Sequence, residues 1–238
     1  MRSALVLVAV LGCGPGIPGS APPAKQPATS IELAAVAPQL PPGERLAFTV
    51  YWSDVAVGRA ELANDVDRVH SSFRTTELAS ALVDLRFDLV SQLAHGWPRS
   101  LVETVVTGGK AEHVRASLAR GSYQLANAPV QLAPEDGPVH SLHTALGIVR
   151  AWSRRHDKGS GHLWLLHRGK LFRLDVFGPV RDAVAGKPAL RVDAVARAID
   201  RSREVALSIW LGAGDARLPL QITARSEGEL MTAELAAP

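Results

Sequence analysis

From residue 44 onward, hydrophobic and polar residues alternate along most of the chain, the two-residue period of half-buried β-strands. Leu46, Phe48, Val50 and Trp52 fall on one face of the first such segment, with Ala47, Thr49, Tyr51 and Ser53 on the other. Val55 to Ala63 returns with Gly58 inside it, where a strand bulges or another backbone comes close. His70 to Leu78, Phe87 to Leu93 and Leu101 to Val106 continue the pattern, and Gly108-Gly109 turns the chain into Ala111 to Leu118. Gly121 to Leu125 extends this meander. Further on come Leu163 to His167, Leu171 to Phe177 and Leu190 to Ala196. Val205, Leu207, Ile209 and Leu211 then share a face, as do Leu218, Leu220, Ile222 and Ala224, and Leu230 to Leu235 follows a Glu227-Gly228 turn.

One segment has a different period. Between Val139 and Arg155, Leu142, Ala145, Leu146, Val149 and Trp152 recur at helical spacing. Ser141 is suited to the N-cap, Arg150, Arg154 and Arg155 lie where the helix dipole favours cations, and Gly159 stands beyond as a stop. Roughly a dozen short strands and one helix predict a mainly β domain over residues 43–238. The expected architecture is an antiparallel sandwich or a curved half-barrel with one covering α-helix.

Residues 14–42 are rich in Pro and Gly without periodicity, ending at Pro41-Pro42, and are expected to form a semi-extended linker. Before them, Arg2, the apolar run Ala4 to Leu11 and then Gly12 read as an export signal. The run is far shorter than the roughly 20 apolar residues of a membrane-spanning helix. With Val10-Leu11-Gly12 preceding Cys13, the segment resembles the lipobox of bacterial lipoproteins, although Leu11 stands where that class usually has a smaller residue. The resemblance implies a signal peptide over residues 1–12, lipidation of Cys13 and attachment to a membrane through that anchor. Gly14 resembles the class sorted to the outer membrane, facing the periplasm. Ordinary secretion with cleavage near Gly19-Ser20-Ala21 is the alternative.

Composition narrows the chemistry. Hydrophobic residues make up 47% of the chain but aromatics only 5%, so Leu, Val and Ala must supply most of the core. Cys13 is the single cysteine, which rules out a disulfide within the chain even at an oxidising destination. The formal charge of +3 comes from basic residues interleaved with acidic ones, and no basic stripe with stacking aromatics points to nucleic acid.

No segment amounts to a catalytic or cofactor signature, so no cofactor is expected. His140 and His143 lie three apart at the start of the helix, a spacing that can place two imidazoles on one face for a metal. The third ligand would have to be His156, His162 or His167, and a solvated helix end is the competing reading. Ser160 between Gly159 and Gly161 lacks the strand-turn-helix context of a nucleophile elbow. Glu135-Asp136 reads as a turn, and Arg154 to Lys158 as a solvated helix end. Trp210 is out of phase with Val205, Leu207 and Ile209, and its face needs either a second packed layer or a ligand.

Several segments resemble the exported bacterial proteins of the domain of unknown function 3108 family. They are Gly43 to Leu46 with Tyr51-Trp52 and Val57 to Ala60, Lys170 to Leu174, and Ile209-Trp210-Leu211 leading to Asp215 to Pro219, then Gly228 and Ala233 to Leu235. Gly212-Ala213-Gly214 is a looser turn than the family's, and Gly147-Ile148 stands where relatives often carry aromatics. The resemblance implies an exported, mainly β envelope protein and brings no reaction with it. More loosely, the architecture resembles the half-open barrels of lipoprotein carriers, a fold-level analogy.

The expected function is therefore a non-enzymatic envelope lipoprotein whose β domain binds an apolar small molecule or an envelope protein. Trp152, Phe172 and Trp210 are the candidates for lining its groove. The alternatives are an envelope hydrolase with His140 or His143 as base, and a structural component of an envelope assembly.

Overall fold

The computed structural model describes residues 33–133 and 137–236. The export signal, Cys13 and Glu135-Asp136 lie outside the described residues. Strands β1 (Arg45–Trp52), β2 (Val55–Asn64) and β3 (Arg68–Thr75) lead to a one-turn helix, α1 (Glu77–Ser80). Next come β4 (Leu85–Ala94), β5 (Trp97–Thr107), β6 (Lys110–Ala119), β7 (Ser122–Leu125), β8 (Gln131–Leu132) and β9 (Val139–His140). The long helix α2 (Leu142–Arg155) precedes β10 (Ser160–His167), β11 (Lys170–Val184) and β12 (Lys187–Ala198). Strands β13 (Glu204–Gly212), β14 (Pro219–Ser226) and β15 (Glu229–Leu235) complete the chain.

All of these strands belong to one sheet, in the order β8-β7-β6-β5-β4-β3-β2-β1-β15-β14-β13-β12-β11-β10-β9. Of the two expected architectures, this is the curved half-barrel and not the sandwich. Neighbours are antiparallel except β9 and β10, which run parallel, and β1 pairs with β15 in the middle of the sheet. The first and last strands thus protect each other's edges. Gly58 does sit at an irregularity: the β1–β2 register shifts between Val50 and Tyr51, opposite it. A Cβ on Gly58 would lie 2.4 Å from the Phe73 ring, so only glycine fits there.

The two ends of the sheet come back towards each other. Arg120 bridges Pro138, and the Gly121 amide donates to the Gly137 carbonyl at 2.7 Å. Strand β10 is consequently covered on both faces. Leu163 and Leu165 join the main core, while Trp164 and Leu166 pack with Leu101, Leu118 and Tyr123 in a smaller one. This explains the unbroken apolar run Leu163 to Leu166, which a strand with one wet face would not carry.

Helix α2 packs into the main core through Ala145, Ile148, Val149, Ala151 and Trp152, against Phe48 and Val50 of β1, Phe172 of β11 and other inward-facing strand residues. The cap at Ser141 is a reciprocal box. Ser141 Oγ accepts from the Thr144 amide at 3.3 Å, and Thr144 Oγ1 accepts from the Ser141 amide at 2.9 Å.

Three expectations need correction. Residues 33–42, expected to be linker, belong to the folded body: Leu33 and Val36 are buried in the main core, and the Gln39 backbone amide donates to the Gly147 carbonyl. A single 3-10 turn, Leu33–Ala35, is too short to leave a periodic trace among prolines. Gly147 permits this crossing, since a Cβ there would meet Leu40 at 2.9 Å. The segment expected to run to Leu78 as a strand ends at Thr75, because Thr76 caps α1 by accepting from the Ala79 amide. Strand β11 continues past Phe177 through Gly178-Pro179 to Val184, absorbing the proline with a register shift between Phe177 and Val180.

Beneath α2, Arg150 is almost fully buried and forms a two-pronged pair with Glu44, at 2.7 and 2.8 Å. It also donates to the Ala216 carbonyl at 2.9 Å. One guanidinium thus ties the helix to the start of β1 and to the β13–β14 loop. Arg150→Met strands the Glu44 carboxylate, which keeps only its bond from Asn64. We expect a loss of about 2 kcal/mol in urea unfolding, with Arg150→Lys recovering little because an ammonium cannot fork.

Candidate functional site

Between α2 and the curved sheet lies a cavity of about 200 Å³. The helix contributes Leu142, Ala145, Leu146 and Val149, and the facing wall is built by Val205, Leu207 and Ile209 of β13 with Ile222 and Ala224 of β14. These are the alternating faces expected from the sequence. Ala60 and Leu62 of β2, Phe73 of β3 and Phe87 of β4 close the sides. Ala60, Leu62, Leu142, Leu146, Leu207 and Ile222 are only half-buried, so solvent reaches this part of the lining.

Among the described residues, the polar side chains of the lining are Ser71 and His143, since Ser72 turns its hydroxyl to the other face of β3. Ser71 points inward from β3 between Val69 and Phe73, and its Oγ is 2.9 Å from His143 Nδ1. Burial, and after it the Arg150 charge, push the His143 pKa down to about 3, so the ring is neutral at ordinary pH. Ser71 is its hydrogen-bonding side chain among the described residues, so no carboxylate there orients the ring as in a triad. A base whose conjugate acid is this acidic holds an abstracted proton poorly. The pair is suited to hydrogen-bonding a neutral group.

The candidate groove residues are placed otherwise than expected. Trp152 and Phe172 are fully buried in the main core and do not line the cavity. Trp210 faces away from the concavity, as its phase requires, and its Nε1 donates to Asp182 at 3.0 Å on the outer face. What meets it there is the carboxylate of β11, the next strand but one, held in turn by Arg191 of β12 at 3.2 Å.

The histidines are not brought together. His140 is buried against Trp97, ring centroids 5.9 Å apart, with neither nitrogen hydrogen-bonded among the described residues, and burial lowers its pKa to about 3. His143 meets Ser71, His156 stacks on Trp152, and His162 lies edge-on to Trp164. His167 Nδ1 is 2.9 Å from Glu103 Oε1, and both side chains are buried. The other oxygen of Glu103 accepts from the Arg168 amide, and Arg168 pairs with Glu112. This cluster joins β5 and β6 to the end of β10, across the gap between the two halves of the sheet. Ser160 opens β10 in the sheet ladder, paired with Phe177.

The residues that matter most here, Ser71 and Glu103, were missed in the sequence. Each carries the same signal, a polar residue at an inward position between two apolar ones: Val69-x-Ser71-x-Phe73 and Leu101-x-Glu103-x-Val105.

No family model and no curated protein matches the chain. Among solved structures, it is similar to a β-barrel-like protein of the domain of unknown function DUF1849 from Brucella abortus. The TM-score is 0.57 at 11% identity, over 84% of this chain and 98% of that one. That likeness shows the fold alone, a β-barrel-like domain with the half-barrel topology described above. A DUF1089 family protein from Pseudomonas aeruginosa gives a TM-score of 0.39 at 13% identity, over 70% of this chain and 89% of that one.

Proposed function

We propose that this half-barrel is a binding domain for an apolar chain, which it takes up between α2 and the sheet. The observation that carries this is the cavity itself. An apolar void of about 150 Å³ stays dry and binds benzene, whereas drug-sized pockets start near 300 Å³. At about 200 Å³, this one suits one acyl-chain segment or a small ring, not a multi-chain lipid. Water reaches its half-buried side, and a ligand that covers the apolar lining removes that surface from water.

Cys13 and the apolar run before it support a setting for this activity: a lipoprotein held at the outer membrane and facing the periplasm. An apolar small molecule is the reading the cavity favours over an envelope protein as partner.

The test is uptake of an apolar fluorescent probe, N-phenyl-1-naphthylamine, by the purified chain. Ala224→Leu pushes three more carbons into the cavity from β14. Probe affinity should fall at least tenfold, about 1.4 kcal/mol, while the melting temperature holds or rises. Unchanged affinity in the folded variant would exclude the cavity as the site.

A further inference from the structure

Resting on that reading of the cavity, we infer that its ligand is an uncharged single-chain amphiphile, such as an alcohol or an ester, whose head hydrogen-bonds at Ser71 and His143 while its chain lies along α2. Two observations lead there. Among the described residues, the side chains that line it are apolar except at one place, where Ser71 and His143 meet. A pure hydrocarbon would leave those groups to each other, whereas a chain ending in a hydroxyl or carbonyl gives them a partner.

The second observation is the absence of a counter-ion. Among the described residues, no Lys, Arg, Asp or Glu lines the cavity. The Arg150 charge and the His70 ring are near His143, and the His70 backbone also hydrogen-bonds its ring. Both terminal nitrogens of Arg150 are committed to Glu44 and Ala216, and His70, next to Ser71 on β3, bonds Asp88 at 3.3 Å. From the helix, Leu142, Ala145 and Leu146 face the cavity, and from β4 the facing residue is Phe87. None of these can neutralise a charge. A carboxylate or ammonium head drawn into this space would be buried unpaired, which side chains and ligands alike avoid.

The experiment is competition for N-phenyl-1-naphthylamine bound to the full chain at pH 8, with 1-octanol, methyl octanoate, octanoate and octyltrimethylammonium. Octanol and the ester should displace the probe at concentrations at least fiftyfold below either ion. Ser71→Ala should weaken octanol about fivefold more than it weakens the probe, which has no hydroxyl or carbonyl head. Equal displacement by octanol and octanoate, or tighter binding of either ion, overturns the inference while leaving an apolar site in place. Equal weakening of octanol and probe by Ser71→Ala places the head elsewhere and overturns it too. If neither probe nor amphiphile binds, the cavity reading fails, and this one with it.

Discussion

Replacing Glu103 with alanine should cost about 3–5 kcal/mol of folding stability, the loss expected when one partner of a buried pair is removed. Both carboxylate oxygens are in use: one faces His167 Nδ1 at 2.9 Å, the other takes the Arg168 amide. The two residues are 64 positions apart and stand on strands from opposite halves of the sheet. The variant therefore loses more than a contact, since it leaves a ring nitrogen and a backbone amide buried without an acceptor where the half-barrel closes on itself. Urea unfolding measures the loss. A double-mutant cycle with His167→Phe should give a coupling of about 2 kcal/mol or more, because once both polar partners are gone an apolar pair packs there instead. A loss below about 1 kcal/mol, the size seen for exposed pairs, would mean that the closure is wet.

The second large effect is on acid stability. His140 and His143 each have a pKa of about 3 in the folded chain, against an ordinary value of 6.5, in both cases first because of burial. Between those values the unfolded chain binds protons that the folded one refuses. Stability is therefore full above about pH 6.5 and falls as the pH drops towards 3, by about 1.4 kcal/mol per pH unit for each ring. At pH 5 the two together should have cost about 4 kcal/mol. The carboxylates whose pKa is lowered, Asp65 through Arg45 and Arg68, and Asp182 and Asp200 chiefly through hydrogen bonds, begin from 3.8. Their contribution is lost only below that value, and Glu229, whose pKa burial raises, gains stability on acidification, so a loss at pH 5 comes from the histidines. Thermal melts at pH 8 and pH 5 should differ sharply for the parent chain and by about half as much for His140→Leu, whose ring has no hydrogen bond to lose. An undiminished acid sensitivity in that variant would show that His140 is not the buried neutral ring described.

These two predictions depend on different kinds of information. His140 and His143 stand out in the sequence by their spacing, and a pair of imidazoles for a metal was a fair reading of it. What separates them is tertiary. One ring turns to Trp97, the other to Ser71, and the shared face was never formed because β9 ends and α2 begins between them. Glu103 is a lone carboxylate in a strand, and nothing near it in the sequence names His167 as its partner.

Local patterning carried much of the fold. Period-two alternation put Val205, Leu207, Ile209 and Leu211 on the inner face of β13 and Trp210 on the outer one, because successive side chains of a strand must point to opposite faces. Helical spacing and the Ser141 cap placed α2 to within a few residues, and Gly58 marked a bulge. Each of these features is set by neighbours along the chain, which is why the sequence alone sufficed. The choice of half-barrel over sandwich, the burial of Leu33 and Val36, the Glu103–His167 closure and the cavity itself depend on which faces meet, and that only the tertiary structure decided. Alternation says that a residue points inward, not what it meets there. Trp152 and Phe172 point inward and are walled off by other side chains, whereas Ser71, with the same orientation, opens on the cavity.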